Sequence, residues 1–468
     1  MSGPQTVQRS LARDDSGFRR EAAVAIGFFA AMCVAVLVKA PQLLEPDDYA
    51  YRASIVALSQ GHLLLTNAQY LTLRAQLNAN DGGGIYQWAH LASGNWISQK
   101  NPGYPFFAVL FQWLHALRAA PLFYGALACG GLFYGARQWL GRWGGTFAVA
   151  AYCWSGAALN FAWRPTMPTF TDASLIAGAA GLLLGVLLAR EDPPLRRLTL
   201  GTLAFVALEG AVLIRYTDVV VLIVAIVAVL ALFRASVLTS AMLISWFATV
   251  LLFVLVDGAL NRYLYGGFLT TGYRSGLVMF STSAIAPNVE RMPARLIESL
   301  PMSLLAVGAL AWIVVRLVRS RRPDAPSLQR ARARTDAVVA LVLLAGWIGV
   351  WGLYATYTWT VGQTIGATNP EHVVRFYVPV LGLIALLAAW LLTQLPRWLP
   401  SAALALLVGT ALWSYQTPAN RIIAGPAPPR AIVIHDRSNA MLGSIRHRAS
   451  VTSSARTEPI RRTGSSTR

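Results

Sequence analysis

Two adjacent carboxylates, Asp47 and Asp48, stand just past the first long apolar stretch of the sequence. That stretch, residues 22–44, is long enough to cross the hydrocarbon core of a bilayer, which is about 30 Å thick. Charged side chains at a membrane boundary are costly unless they face water or a polar cavity, so they commonly mark a functional site. The alternative is a pair of solvated loop acids. A carboxylate in a functional site could take a proton from a bound hydroxyl group.

Further polar residues are predicted to lie on the same side of the membrane as this pair. They are Glu45, Lys100, Arg164, Asp172, Arg215, Asp218, Arg274, Glu371, His372 and Arg375. Fixed cations among them could stabilise a phosphate leaving group in a cavity shielded from water. Sugar transfer from a lipid phosphate needs both a carboxylate base and such cations, and it needs them at the membrane face, where the lipid carrier lies. The set therefore favours that chemistry.

Several of these residues also have a purely structural interpretation. Arg215 and Asp218, three residues apart at a turn, could form an ion pair. Asp172 could be an acid that the helix dipole favours at the start of a span. Lys100 could snorkel to the interface and anchor a helix there. From the residues alone, both interpretations remain open.

The composition is that of a polytopic membrane protein. Of 468 residues, 56% are hydrophobic and 13% are charged, which is about half the charged share of a soluble protein, and the mean hydropathy is +0.51. The net charge of +19 would indicate nucleic-acid binding in a soluble chain. Here the arginines fall mostly in short loops between apolar runs, where they set membrane orientation instead. The spacing of cysteines and histidines indicates no metal, and we expect no cofactor.

We predict an all-α membrane domain, residues 22–414, with about eleven transmembrane helices. The predicted spans are 22–44, 121–139, 144–162, 172–189, 198–214, 217–233, 236–256, 301–318, 337–354, 376–394 and 400–414. Residues 103–118 are short and rich in aromatic side chains, which favours a helix lying in the membrane interface. A twelfth span is the alternative for that segment.

The distribution of arginines predicts the orientation of these spans. The N-terminal tail, 1–21, and the loop 319–336, which contains six arginines, are expected in the cytoplasm. The long loops 45–102 and 257–300 are then external, and the first of them is expected to contain interfacial helices. Residues 415–468 are rich in Ser, Thr, Pro and Arg, which predicts a disordered basic tail.

Five short motifs make the chain resemble the GT-C superfamily of integral membrane glycosyltransferases. The resemblance is greatest to the group of protein O-mannosyltransferases, the aminoarabinose transferase of lipid A and the rhizobial lipopolysaccharide sugar transferases. It covers about residues 20–395. The motifs, in the family's order, are PDDYAYRASIVALSQG, KNPGYPFF, FTDASL, LIRYTDVVVL and RFYVP.

The resemblance implies transfer of a sugar from a polyprenyl-phosphate donor to an acceptor hydroxyl on the outer face, in one inverting displacement. The acceptor would be a lipid, a glycan or a protein. The matched positions are Asp47 and Asp48 as catalytic acids, and Lys100, Asp172, Arg215 and Arg375 as substrate-binding residues. In this assignment Asp47 is the general base, and Lys100 holds the leaving phosphate together with an arginine. Asp48 stands where the family has glutamate, which leaves open which acid is the base.

A transporter or flippase of a lipid-linked or anionic solute is the alternative from another functional class. Transporters usually show paired halves and broken helices near the middle of the membrane. This sequence shows no internal repeat and concentrates its charges at one face, which favours the enzyme. A non-catalytic assembly subunit is a third interpretation.

Overall fold

The computed structural model describes residues 15–40, 46–77, 85, 87–91, 93–189, 191–232, 238–272, 280–323, 326–361, 374–396 and 398–416. In chain order its elements are α1 (Asp15–Val38), α2 (Pro46–Ser59), α3 (Asn67–Gln76), β1 (Trp88–His90), β2 (Trp96–Ser98), α4 (Gly103–Trp113), α5 (Ala119–Leu140), α6 (Gly144–Cys153), α7 (Gly156–Ala162), α8 (Thr169–Leu188), α9 (Pro194–Ile214), α10 (Val219–Leu232), α11 (Ser240–Tyr265), α12 (Ile285–Ser299), α13 (Met302–Ser320), α14 (Ser327–Ala355), α15 (Leu381–Gln394) and α16 (Trp398–Gln416). Short 3-10 turns stand at Tyr216–Asp218, Thr282–Ala284 and Val378–Val380.

Within these ranges, eight helices are long and apolar enough to cross a membrane: α1, α5, α8, α9, α11, α13, α14 and α16. Three shorter apolar segments accompany them: Gly144–Cys153, Tyr216–Leu232 and Val378–Gln394. Each of the eleven predicted spans overlaps one of these segments. The prediction of an all-α, multi-pass membrane fold is therefore confirmed, with one small β-hairpin added to it.

Several helix bounds differ from those expected. The predicted span 144–162 is two helices, α6 and α7, because Ser155 has an extended backbone and its Oγ accepts a hydrogen bond from the Ala158 amide at 3.0 Å. A hydroxyl that caps the start of a helix in this way favours the end of one helix and the beginning of another. The segment 103–118 forms only the eleven-residue α4. The predicted loop 257–300 begins with the end of α11 and contains the helix α12.

Helix α8 lies at the centre of the bundle and packs most closely against α5. Gly131 and Gly135 of α5 face Gly178 and Gly181 of α8, and a Cβ atom at Gly135 would clash with the carbonyl of Gly181. Small residues let membrane helices approach until their backbones touch, and this contact replaces the hydrophobic driving force that is absent in lipid. On another face, Gly382 of α15 packs against α8 in the same way. This packing fixes the start of α8, where a candidate site residue lies.

The long segment after α1 packs around a small core of its own. Tyr70 of α3 stacks on Trp96 of β2, with ring centroids 3.7 Å apart, and Trp88 and Leu65 close the same cluster. Strands β1 and β2 pair in antiparallel register, with Ala89 opposite Ile97. The turn that carries Lys100 follows directly after β2 of this hairpin.

Polar and charged side chains gather at the two ends of the bundle. At one end Glu21 pairs with Arg137, and Asp336 lies 3.5 Å from Arg316 and accepts a hydrogen bond from Trp139 at 3.0 Å. The other end, which we call the Asp47 end, brings together the start of α2, the start of α8 and the end of α9. The candidate site lies there.

Candidate active site

Asp47 lies in the first turn of α2 and bridges two cations. Its Oδ1 atom is 2.9 Å from Lys100 Nζ, and its Oδ2 atom is 3.1 Å from Arg375 Nη1. The N-terminal end of a helix favours a carboxylate there through the helix dipole. The contacts join residues that are far apart in sequence, and all three side chains are largely buried. The structure thus brings together three of the predicted site residues.

The charges around Asp47 control its protonation. Burial by itself would raise the pKa of this carboxyl, but the charges of Lys100 and Arg375, with hydrogen bonds from Lys100 and Gln87, hold that pKa well below its usual value. Asp47 is therefore ionised at neutral pH in this arrangement.

Asp48, the next residue, points into a different environment. Its Oδ2 atom pairs with Arg164, and its Oδ1 atom accepts a hydrogen bond from Thr166 Oγ1 at 2.9 Å. The side chains of Asp48 and Arg164 are both 0% exposed. Asp47 adjoins the cations Lys100 and Arg375, whereas Asp48 pairs with Arg164, and this difference bears on which acid is the base.

The turn that carries Lys100 is fixed against the end of α9. Asn101 donates a hydrogen bond from Nδ2 to the carbonyl of Ile214 at 3.1 Å, and Tyr265 donates one to the carbonyl of Lys100 at 3.3 Å. Gly103 lies so close to Leu213 that a Cβ atom would clash with its backbone. These contacts hold the Lys100 ammonium inside the site, next to Asp47, with 7% of its side chain exposed.

Arg375 is held by aromatic rings. Its guanidinium carbon lies 5.0 Å from the ring centroid of Trp359 and 4.9 Å from that of Phe376. A guanidinium group over aromatic faces is attracted by their quadrupoles and keeps a fixed orientation. The side chain is 7% exposed, so its charge acts in a place with little water.

Arg215 links this group to a second cluster of charges. Its Nε atom is 3.2 Å from Asp172 Oδ2, and its Nη1 atom donates a hydrogen bond to the backbone carbonyl of Arg375 at 3.2 Å. Asp218, also buried, interacts electrostatically with both Arg215 and Asp172. Asp172 is 0% exposed, whereas 14% of the Arg215 side chain is exposed. Arg215 and Asp218, which could have formed an ion pair by themselves, thus interact within a larger cluster that also contains Asp172.

Four of the polar residues that the sequence singled out lie outside the described residues: Glu45, Arg274, Glu371 and His372. The same holds for most of the basic tail, residues 417–468. Among the residues that are described, no group of three or more His, Cys, Asp or Glu side chains is placed to hold a metal ion.

Gln87 is a further residue of the candidate site that the sequence did not reveal. It stands immediately before β1 with a left-handed backbone, φ +55°, which a non-glycine residue seldom adopts. Its carbonyl accepts a hydrogen bond from the Gln99 amide at 2.8 Å, and its side chain donates one to Asp47. Its Oε1 atom is buried and has no hydrogen-bond partner within the described part of the chain. A lone glutamine in a long loop carries no periodicity or motif that could have revealed it.

No family model and no curated protein sequence matches this chain. Two solved structures are similar to it, both of ArnT from Cupriavidus metallidurans. The structure bound to undecaprenyl phosphate has 15% sequence identity and a TM-score of 0.52, and the match covers 86% of this chain and 64% of ArnT. The apo structure has 16% identity and a TM-score of 0.47, over the same shares of the two chains.

This chain thus spans 64% of the length of the ArnT chain that it matches. At 15% identity the likeness concerns the course of the chain through the bundle. It agrees with the apolar helices found here and with the fold that the five sequence motifs predicted. The chain is a multi-pass membrane protein with the GT-C fold.

Proposed function

We propose that this chain is a membrane glycosyltransferase, which transfers a sugar from a polyprenyl-phosphate donor to an acceptor hydroxyl at the outer face of the membrane. The observation that carries the proposal is Asp47 lying between Lys100 and Arg375, at 2.9 and 3.1 Å, at one end of a bundle with the GT-C fold. A carboxylate base beside two fixed cations is what glycosyl transfer from a phosphate needs. ArnT, which shares the fold, was solved bound to undecaprenyl phosphate, and this supports a lipid phosphate as the donor's carrier.

The proposed reaction is a single inverting displacement. The acceptor oxygen forms a bond to the anomeric carbon while the bond from that carbon to the phosphate oxygen breaks. Asp47 takes the proton of the acceptor hydroxyl, and the polyprenyl phosphate leaves with its new negative charge held by Lys100 and Arg375. Alignment of the hydroxyl and the anomeric carbon within the site would supply much of the acceleration.

The remaining predicted site residues are assigned supporting parts. Arg215 is partly exposed beside Arg375, so it could bind the donor as well as hold the Arg375 backbone through its 3.2 Å hydrogen bond. Asp172 is buried and would act on substrate through Arg215, whose guanidinium it orients. Asp48 would fix the start of α2 through its buried pair with Arg164.

Purified protein incubated with radiolabelled polyprenyl-phosphate sugars and membrane acceptors tests the proposal. We expect label from one donor to appear in a lipid, glycan or protein acceptor, and Asp47→Asn protein to serve as the inactive control. Movement of a lipid-linked sugar across proteoliposome membranes, with no transfer from any donor, would instead support a flippase and contradict the proposal.

The proposed orientation places the Asp47 end outside the cell. In a background without native cysteines, an Asn80→Cys variant should react with a membrane-impermeant maleimide in intact cells, whereas a Ser327→Cys variant should react only after the cells are opened. The reason is that the segment 319–336, which the structure divides between the end of α13, a short connection and the start of α14, carries six arginines, and these are retained in the cytoplasm. Labelling of Ser327→Cys alone, or equal labelling of both in intact cells, would contradict this orientation.

Lys100→Met separates a phosphate ligand from a helix anchor. Methionine keeps the apolar stem but removes the charge that lies 2.9 Å from Asp47. If Lys100 binds the donor phosphate, the affinity for undecaprenyl phosphate should fall about tenfold or more, because a charge-assisted contact is worth about 1.5–3 kcal/mol. Titration of the purified protein with the lipid measures this.

The anchor interpretation makes the opposite prediction. The amount of folded Lys100→Met protein should then fall, while the surviving protein should bind undecaprenyl phosphate with normal affinity. Such a result would remove Lys100 from the proposed phosphate site and leave Arg215 or Arg375 in that role.

A further inference from the structure

The two cations of the proposed phosphate site are engaged by the proposed base. Each oxygen of the Asp47 carboxylate contacts a different cation, Oδ1 with Lys100 Nζ and Oδ2 with Arg375 Nη1. A phosphate placed between the same two nitrogens would make the same pair of charge-assisted contacts. Asp47 thus lies where the anionic part of a donor would have to bind.

This arrangement conflicts with catalysis in two ways. A carboxylate held by two cations has a lowered pKa and is a weak base towards a hydroxyl group. A phosphate that entered next to an ionised Asp47 would also place two like charges a few ångströms apart in a site with little water. A change of partner by Lys100 and Arg375 when the donor binds would solve the first problem, and the repulsion that remains between the two anions would raise the pKa of Asp47 further and make it a stronger base.

We propose that Asp47 serves as the counter-anion of Lys100 and Arg375 in the empty enzyme, and that the donor phosphate replaces Asp47 as the partner of both cations when it binds. This inference rests on the proposed function. The carboxylate then becomes an effective base only in the presence of donor. Donor must bind before the acceptor hydroxyl is activated, which keeps the base inactive in the empty enzyme.

Other contacts would keep Asp47 in place after the exchange. The side chain of Gln87 donates a hydrogen bond to Asp47. Because this donor is uncharged, a phosphate attracts it less strongly than it attracts Lys100 or Arg375. The N-terminal turn of α2 favours the carboxylate through the helix dipole. Asp48 anchors the same turn through Arg164 and Thr166. The base can therefore lose both cations and still face the site.

The test is the affinity of Asp47→Asn protein for undecaprenyl phosphate, which needs neither the sugar nor the acceptor. Removing the competing negative charge should tighten binding about tenfold relative to wild type, a coupling of the size usual between interacting binding events. Undecaprenol, which has no phosphate, should bind both proteins equally. Asp336→Asn is the matched control, because it removes a largely buried carboxylate that pairs with an arginine at the opposite end of the bundle, and it should not tighten binding.

Loss of Asp47 also removes a partner from two buried cations and could lower stability, so the shift in melting temperature caused by the lipid is measured alongside. The phosphate would replace the missing carboxylate, and the shift should be larger for Asp47→Asn than for wild type. The counter-anion role would be overturned if Asp47→Asn protein bound undecaprenyl phosphate no more tightly than wild type and showed no larger shift in melting temperature. If Lys100→Met still weakened binding in that case, the proposed function would stand. Failure of the wild type to bind undecaprenyl phosphate would overturn both.

Discussion

Asp47→Asn should lower the rate of sugar transfer about 10²–10⁴-fold, the usual contribution of a general base. The amide has nearly the shape of the carboxylate but cannot take the proton of the acceptor hydroxyl. The carboxylate is the group that bridges Lys100 and Arg375, so the variant tests the centre of the proposed site. The measurement is transfer from the preferred polyprenyl-phosphate sugar, normalised to the amount of folded protein.

Asp48→Asn is the informative comparison for this experiment. Asp48 is bound to Arg164 and Thr166 in a fully buried position, so its loss should reduce the yield of folded protein more than the rate per folded molecule. Transfer at the wild-type rate by Asp47→Asn protein would reject Asp47 as the base. A larger loss of rate in Asp48→Asn than in Asp47→Asn would move that role to Asp48.

Much of the fold was predictable because the membrane imposes a simple rule on the sequence. A backbone in lipid must satisfy its own hydrogen bonds, so long apolar runs become helices, and every predicted span overlaps an apolar helix. The break at Ser155 was not predicted, because the run 144–162 is apolar on both sides of it and hydropathy does not register a capping hydroxyl. The hairpin of β1 and β2 was also missed, since strands of three residues leave no detectable period.

The candidate site could be predicted in part because charged residues are rare in a membrane protein and those near a membrane boundary commonly mark a functional site. Asp47, Lys100 and Arg375 stood out because ionised residues are rare in such a chain, and the structure brings them into contact. The sequence could not show which of the many arginines pairs with each carboxylate. Asp48 pairs with Arg164 because of the way α2 packs against the chain before α8, and this packing is not visible in the sequence. Gln87 was missed for a related reason, because its importance comes from its backbone conformation and its contact with Asp47.

Breaking the pair of Asp48 and Arg164 should destabilise the protein by about 3–5 kcal/mol, because removal of one partner leaves the other charge buried without its counter-ion. Both side chains are 0% exposed, so water cannot take the place of the lost partner. We expect Asp48→Asn and Arg164→Met each to lower the melting temperature of the protein in detergent strongly. The loss should exceed that of Thr166→Val, which removes one hydrogen bond to Asp48 and is expected to cost about 1 kcal/mol.

The double variant Asp48→Asn/Arg164→Met shows whether the effect belongs to the pair. With both charges gone, no uncompensated ion remains in the interior, and the double variant should be more stable than either single variant, since apolar replacements of buried ion pairs are often tolerated. If the two single losses simply add, the residues act independently and the pairing does not account for their burial. If the double variant recovers stability but transfers sugar slowly, then Asp48 and Arg164 serve to aim the first turn of α2, and with it Asp47, at the two cations.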